Sequence, residues 1–499
     1  MTSAPSPDRP GELRRSLGVV DGIAIAASST AATTSIAIGM GTLAATVGLQ
    51  GPVILLLAFL PVLGIAGAYA RLNRSEPNCG NGYVWVGKSL GPWPGFLTGW
   101  VTLAGSVVFL AYTSAITGSV ILAFANKAGW TELAGIALDP GSTVVTTLVG
   151  LVVLTGVTVM AVTGVRGATR LQAGLLVFEY TVLLIFCVLA VITGDHAVSL
   201  SWFNPFAIHS GTGFAQGLVL AVFFFWGWDA AFTVTEETRN PGDAARGGLI
   251  ALFAMLGLFV FASVAFQREM SLTELVRNGP QALPYLGAKL AAEPWASLPL
   301  LALMFSAVAS VQANVIPTAR GLFAMGRDRT MGPVWTRIHP RFGTPAVGTV
   351  IIMAVSAAIA VLAMAIPKLS DMLLAAVNSV GLIVALYYGL TALACAVRFR
   401  DALRDGVREA LLAVIVPALS GLCLLGIGTY LGYSYLTMSD HFELTPDNGW
   451  FMLSLPASIV LSGLAMAAVA KYTRRSAYFT TGRGTDADAL TLPMDRTAA

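Results

Sequence analysis

The chain has 499 residues, of which 56% are hydrophobic and only 11% are charged, and its formal net charge is +3. An ordinary soluble domain carries about 25% charged residues, so this composition excludes a soluble enzyme, a nucleic-acid-binding protein and a disordered chain. The mean hydropathy of +0.76 indicates a membrane protein instead.

Twelve apolar segments are each long enough to cross the bilayer core, which takes about 20 helical residues. They are continuously apolar rather than alternating, which excludes a β-barrel. The length of the first and third segments indicates tilt or a break in those helices. The predicted spans are 18–45, 51–70, 96–125, 143–163, 172–193, 213–235, 247–266, 298–318, 345–366, 371–396, 410–432 and 450–471.

The distribution of basic residues predicts the orientation. Of the 29 Lys and Arg residues, all but five fall in segments that are cytoplasmic if the N-terminus is inside. Cytoplasmic loops of membrane proteins carry this excess of positive charge. We therefore predict a multi-pass protein of the plasma membrane with both termini in the cytoplasm. The five external residues are Lys127, Arg268, Arg277, Lys289 and Lys368.

The first span carries six hydroxyl side chains within residues 26–35. Ser and Thr can replace backbone hydrogen bonds that are lost where a membrane helix opens. Close packing of small residues against another helix is the alternative for any single hydroxyl. The cluster as a whole favours a polar cavity at a broken helix.

Two acidic residues stand out because they lie well inside predicted spans: Glu179 in the fifth and Asp229 in the sixth, neither with a Lys or Arg in its own span. An ionisable residue inside a membrane is costly and therefore indicates function, although a neutral, hydrogen-bonded carboxyl is the simpler interpretation. Gly227 lies among bulky aromatic residues just before Asp229, which predicts a break in the sixth helix. Glu236 and Glu237 follow at its cytoplasmic end, where ion pairs with loop arginines are expected.

Breaks in the first and sixth spans fit two inverted repeats of five helices, with the substrate bound between the broken helices. The predicted regions are an N-terminal tail, a repeat of spans one to five, a repeat of spans six to ten, spans eleven and twelve, and a disordered cytoplasmic tail. Their bounds are 1–17, 18–193, 213–396, 410–471 and 472–499.

Outside the spans, the sequence contains little that suggests a site. The external stretch 267–297 reads as short amphipathic helices broken at 278–280, either a lid over an outer vestibule or a connector. The four His residues lie in scattered loops without metal-ligand spacing, so we expect no metal site, no cofactor and no enzymatic activity.

Several motifs resemble those of the amino acid–polyamine–organocation family of transporters. The most specific is ARGLFAMGRD at 319–328, which continues to HPRFGTP at 339–345. GWD at 227–229 with EETRNP at 236–241, and EPNCGNGY at 76–83, resemble further family elements. The resemblance extends over about residues 14–410.

This resemblance implies an all-α fold of twelve helices like that of the bacterial leucine transporter, and secondary transport of amino acids or related amines by alternating access. The family's first-span Gly-x-Gly falls near Ala32–Thr34, where this chain lacks both glycines. Hydroxyl groups would contribute to the substrate site instead. By position, the substrate-binding residues are expected to be Ala32, Thr33, Thr34, Ser35, Phe225, Trp226, Gly227 and Asp229.

In the fifth span the chain has Glu179 where many relatives have a Lys that stands in for a sodium ion. Glu179 and Asp229 are therefore predicted to carry coupling protons, and Ser306 and Ser310 are candidate sodium ligands. The leading hypothesis is a proton-coupled importer of an amino acid or biogenic amine. An exchanger, a sodium symporter and a non-transporting nutrient sensor are the alternatives.

Overall fold

The fold is described from a computed structural model. It covers residue 13 and residues 15–480, except positions 209, 241, 366, 444, 446 and 447, and it omits the side chains of 165–168, 280 and 367–379. The predicted tail residues 481–499 lie outside the described residues, as does most of the predicted tail 1–17.

The described chain is almost entirely helical. Its α-helices are α1 (Val19–Thr30), α2 (Ala32–Val47), α3 (Gly51–Ser75), α4 (Gly82–Leu90), α5 (Pro92–Lys127), α6 (Thr143–Thr163), α7 (Val165–Thr193), α8 (Gly211–Phe224), α9 (Ala230–Thr233), α10 (Asp243–Glu269), α11 (Leu272–Asn278), α12 (Ala282–Leu290), α13 (Leu298–Arg327), α14 (Ala346–Ala365), α15 (Pro367–Arg398), α16 (Val407–Ala410), α17 (Val416–Met438) and α18 (Gly449–Ala468).

Short elements complete the structure. Two strands, β1 (Glu132–Leu133) and β2 (Ile136–Ala137), form an antiparallel hairpin between α5 and α6. Leu411–Ile415 and Val469–Thr473 are π-helical turns. The 3-10 turns are Gly48–Gln50, Leu200–Phe203, Pro205–Ala207, Thr235–Glu237, Gly279–Gln281, Trp295–Ser297, Pro333–Thr336, Arg400–Arg404 and Ala477–Phe479.

Ten helical stretches of the described chain are long and apolar enough to cross a membrane. The first, Val19–Ser75, is 57 residues long and includes both the first and the second predicted spans. The sixth predicted span is divided between the 14-residue helix α8 and the short helix α9. The chain is thus a multi-pass membrane protein.

Helix α13 lies at the centre of the helical packing. It contacts α5, α7, α1 and α2, and most of its side chains are buried. By contrast, α6 and α17 expose large apolar side chains such as Val152 and Leu419. Apolar exposure of this kind suits helices that face lipid tails, where no hydrophobic force drives burial.

The segment between α10 and α13, which the sequence predicts to be external, packs closely on the second half of α2. Helix α11 begins with a capping box in which Ser271 and Glu274 satisfy each other's backbone N–H groups. A Cβ atom added to Gly41 of α2 would lie only 2.6 Å from the Cα of Gly279. Residues 278–281 therefore rest directly on the C-terminal half of the first predicted span.

The predicted boundary of the C-terminal tail differs from the structure. Residues 472 and 473 complete a π-helical turn, and Tyr478 is buried, although 472–499 was expected to be disordered. The Tyr478 ring stacks on Tyr83 at 4.9 Å between ring centroids. Its hydroxyl occupies a slot that side chains at Gly87 and Gly95 would fill. Aromatic burial orders this segment despite its polar neighbours in sequence.

Candidate functional site

The first predicted span is interrupted at one residue. Helix α1 ends at Thr30, Ala31 adopts the left-handed conformation with φ 49° and ψ 56°, and α2 begins at Ala32. The Thr30 hydroxyl donates to the Ala26 carbonyl at 2.9 Å, and the Ser35 hydroxyl donates to the Thr30 carbonyl at 3.1 Å. The Ser35 bond crosses the interruption, and the Thr30 bond lies within the last turn of α1, so hydroxyl groups supply hydrogen bonds at the break, as the sequence suggested.

The sixth predicted span is interrupted over a longer stretch. Helix α8 ends at Phe224, and five residues in a turn conformation precede α9. Gly227 has φ +112°, a backbone conformation that side-chain-bearing residues rarely adopt. The Ala230 N–H donates to the Gly227 carbonyl at 3.0 Å, which closes the turn.

The two interruptions touch each other at Gly227. A Cβ atom at this position would lie 2.7 Å from both the carbonyl carbon and the carbonyl oxygen of Ser29, and 2.8 Å from the Thr30 nitrogen. No real side chain fits at such distances. The absence of a side chain therefore lets the backbones of the two broken segments meet.

A cavity of about 70 Å³ lies beside this contact. One water needs about 10–15 Å³ by this measure, so the cavity has room for several waters or a small ligand. The cavity extends along the residues that follow α3 and along the second half of α13. Its described lining includes Ser29, Tyr69, Asn81, Thr102, Ser106, Trp226, Gly227, Asp229, Thr233, Asn314, Thr318 and Tyr387.

Asp229 is the only carboxylate among the described residues that line this cavity, and no Lys, Arg or His lines it. The Tyr388 hydroxyl donates to Oδ1 of Asp229 at 2.8 Å. No Lys, Arg or His in the described chain pairs with Asp229, because none of the described ion pairs includes it. The site therefore presents a carboxyl group to the cavity without a protein counter-charge.

Aromatic side chains surround the carboxyl. The Trp226 indole N–H donates to the Tyr387 hydroxyl at 2.6 Å, and Phe109 meets Trp226 edge to face at 5.0 Å. Tyr387 and Tyr388 contact each other at 4.5 Å between ring centroids. Aromatic faces of this kind attract cations. The paired tyrosines of α15 were missed from sequence, although two adjacent phenols in an apolar run were a visible signal.

The expected substrate-binding residues separate into three groups. Trp226, Gly227 and Asp229 line the cavity. Phe225 is fully buried against Phe59 and Phe259 instead. The residues expected from the first span, Ala32, Thr33, Thr34 and Ser35, follow the interruption and are not among the lining residues. Ser29, which precedes the interruption, lines the cavity in their place.

Glu179 belongs to a second polar cluster away from the cavity lining. Its carboxyl is fully buried on α7 and lies beside the hydroxyls of Ser306 and Thr33. Neither carboxyl oxygen has a hydrogen-bond partner of good geometry in the described structure, and the hydroxyls of Thr33 and Ser310 have none either. The Thr34 N–H donates to the Ser306 hydroxyl at 3.3 Å. The structure thus brings Glu179 together with Ser306, one of the two candidate sodium ligands.

The two acidic residues at the end of the sixth predicted span form ion pairs, which confirms the expectation from sequence. Glu237 is 4% exposed and binds Arg320 through two contacts of 2.8 and 3.3 Å. Glu236 binds Arg327 through two contacts of 3.1 Å and accepts the Cys79 N–H at 2.9 Å. These bonds tie the segment after α9 to the end of α13.

Comparison with known proteins identifies the family. The family model described as amino acid permease matches residues 24–460, which is most of the chain. The chain belongs to the amino acid permease family. Its motifs at 76–83, 227–241 and 319–345 all lie inside the matched region.

Relatives within this family carry names with different substrates. The chain is 26% identical over 335 residues to the methylthioribose transporter of Bacillus subtilis, covering 66% of this chain and 70% of that protein. It is 24% identical over 344 residues to the branched-chain amino acid permease BcaP of the same organism, covering 68% and 72%. It is 25% identical over 314 residues to the low-affinity putrescine importer PlaP of Escherichia coli, covering 60% and 64%. These relatives are transporters of small molecules.

Proposed function

We propose that this permease is a secondary active transporter that imports an amino acid or related amine by alternating access. The observation that carries the proposal is the contact between the two interrupted segments at Gly227, beside a cavity that contains the carboxyl of Asp229. Broken helices that meet near the middle of the membrane leave backbone groups free for a substrate.

The proposed architecture has twelve spans, arranged as two inverted repeats of five with two further helices. The 57-residue stretch Val19–Ser75 has the length of two crossings, because each takes about 20 residues. Helix α8, the turn around Gly227 and α9 together supply one further crossing. In this arrangement both termini face the cytoplasm of the plasma membrane, in keeping with the positive-inside distribution.

The cavity fits one of the two states that alternating access requires. It reaches the segment 79–83 and Thr318, which lie toward the predicted cytoplasmic side. On the opposite side, residues 278–281 rest on α2 at Gly41. We infer an inward-facing state in which the external segment closes the outer path.

Glu179 is the proposed coupling residue. Its carboxyl is buried near the first interruption without an ion-pair partner in the described chain, so it can gain or lose a proton as the path opens and closes. The same oxygens favour a second candidate, a sodium ion held by Glu179 with Ser306 and Ser310, because hard cations bind oxygen ligands. Thr33 would contribute a hydroxyl to either ion.

The test is uptake of labelled amino acids and amines by purified protein in proteoliposomes, with a pH gradient or a sodium gradient imposed separately. Asp229→Asn is expected to abolish uptake, and Glu179→Gln to retain exchange while losing gradient-driven accumulation. Glu132→Gln, in the exposed hairpin, is the matched control and should behave as wild type. Ligand binding without uptake by wild type would contradict the proposal and indicate a sensor.

A further inference from the structure

The charge of the cavity limits the substrates that it can hold. Asp229 is its one carboxylate among the described lining residues, and the other polar side chains that line it are neutral. A ligand with one ammonium group finds a counter-charge here. A second buried charge would find no counter-charge among these side chains, and an unpaired charge away from water is strongly disfavoured.

Asn314 is the neutral residue whose geometry best suits a ligand contact. It lies on α13, is 7% exposed, and lines the same cavity as Asp229. Its Nδ2 donates to the Ser310 carbonyl at 2.9 Å. Its Oδ1 accepts from the Ser29 hydroxyl at 3.5 Å, the upper limit for a hydrogen bond.

An asparagine amide offers two N–H donors and two acceptor lone pairs. The contacts of Asn314 in the described chain use one donor firmly and one lone pair weakly. A ligand hydroxyl or amide in the cavity can take the remaining donor and acceptor. The Asn314 side chain also contacts Ser29, two residues before the first interruption. A ligand that binds Asn314 would therefore lie next to the end of α1.

We propose that Asn314 is a specificity-determining residue that hydrogen-bonds the neutral polar end of a substrate whose ammonium group is held by Asp229. The substrate class is therefore an amine with a single positive charge and a hydroxyl or amide group, rather than a diamine. This inference rests on the proposed function, because it assumes that the cavity is the substrate site.

Three probes with the same four-carbon chain separate the contribution of a hydroxyl group from that of a second ammonium group: 4-aminobutan-1-ol, butylamine and 1,4-diaminobutane. Each is titrated against purified protein at neutral pH, and the half-saturating concentration is read from the rise in melting temperature that ligand binding produces. Wild type is expected to bind the amino alcohol about 2–10-fold more tightly than butylamine, the range of one net hydrogen bond. It should bind the diamine most weakly.

Asn314→Asp is nearly isosteric and adds a second carboxylate to the cavity. We expect it to reverse the preference, so that the diamine binds about tenfold or more tightly than the amino alcohol. Asn314→Ala should bring the amino alcohol to the affinity of butylamine. Asn126→Asp, at the far end of α5 and outside the cavity, is the control and should keep the wild-type order.

The ratio between probes is independent of overall stability, so it distinguishes a ligand contact from a structural role. The inference is overturned if amines bind and Asp229→Asn removes that binding, yet Asn314→Asp leaves the order of the probes unchanged. It is also overturned if only α-amino acids bind. A different result would reject only the proposed transport function: wild type shows no uptake in proteoliposomes, yet Asn314→Asp reverses the order of the probes. The assignment of Asn314 would then be retained.

Discussion

Gly227→Ala tests the contact between the two interrupted segments. The new Cβ atom would lie 2.7 Å from the Ser29 carbonyl group, and the residue would have to hold φ +112°. A residue with a side chain that is held in such an unfavourable backbone conformation costs about 1–3 kcal/mol of stability. An extra carbon in a packed site costs about 1–3 kcal/mol more. The expected loss is therefore about 2–6 kcal/mol, a large share of the roughly 5–15 kcal/mol that stabilises a typical protein.

The substitution can have one of two effects, and each has its own readout. If the contact holds, the variant loses thermal stability in detergent. If the segments separate, stability recovers but the cavity changes shape and ligand affinity falls. Both are measured by thermal unfolding with and without a ligand.

Gly257→Ala is the matched control for this substitution. Gly257 is exposed on α10 with open space around its Cα, so the change should be neutral or stabilising by about 1 kcal/mol. Wild-type stability together with wild-type ligand affinity in Gly227→Ala would refute the contact between the two segments.

Two further predictions concern the face that the sequence predicts to be cytoplasmic. Tyr478→Ala should destabilise the protein by about 3–5 kcal/mol, because a large buried ring is removed; Tyr478→Phe should lose only about 1 kcal/mol with its bond to the Tyr83 carbonyl. Equal effects in denaturant unfolding would contradict this. Burial, opposed by the Tyr83 hydroxyl and Arg327, raises the pKa of Asp328 from 3.8 to about 6. The folded state therefore binds this proton more tightly, and its stabilising effect is lost as pH rises from about 4 through 6. Asp328→Asn should flatten this part of the melting profile, and an unchanged profile would show that Asp328 does not cause it.

The sequence predicted the local features of the site better than its assembly. The hydroxyl cluster around Thr30 and the glycine among aromatic residues at Gly227 each gave a local reason for a helix to open, and the structure has interruptions at Ala31 and Gly227. An acid in an apolar run likewise identified Asp229. These signals depend on neighbours in sequence, which a single chain displays directly.

The missed residues come from other helices. Asn314, Tyr387 and Tyr388 contact the site only because α13 and α15 pack against the interrupted segments, and no local pattern records that packing. Ala32–Thr34 were expected at the cavity because they occupy the position of the family's substrate-binding motif, and the sequence alone does not record how that segment packs. The helix is interrupted at Ala31, and beyond it Thr33 lies beside Glu179 while the Thr34 N–H donates to Ser306.

The measurement that tests alternating access most directly is thiol labelling of Thr318→Cys, in a background without the four native cysteines. Thr318 lines the cavity near its predicted cytoplasmic mouth. In oriented membrane vesicles, a membrane-impermeant reagent should label this position from the cytoplasmic face, and a bound substrate should change the labelling rate. Equal labelling from both faces, unaffected by any ligand, would contradict a carrier that opens to one side at a time.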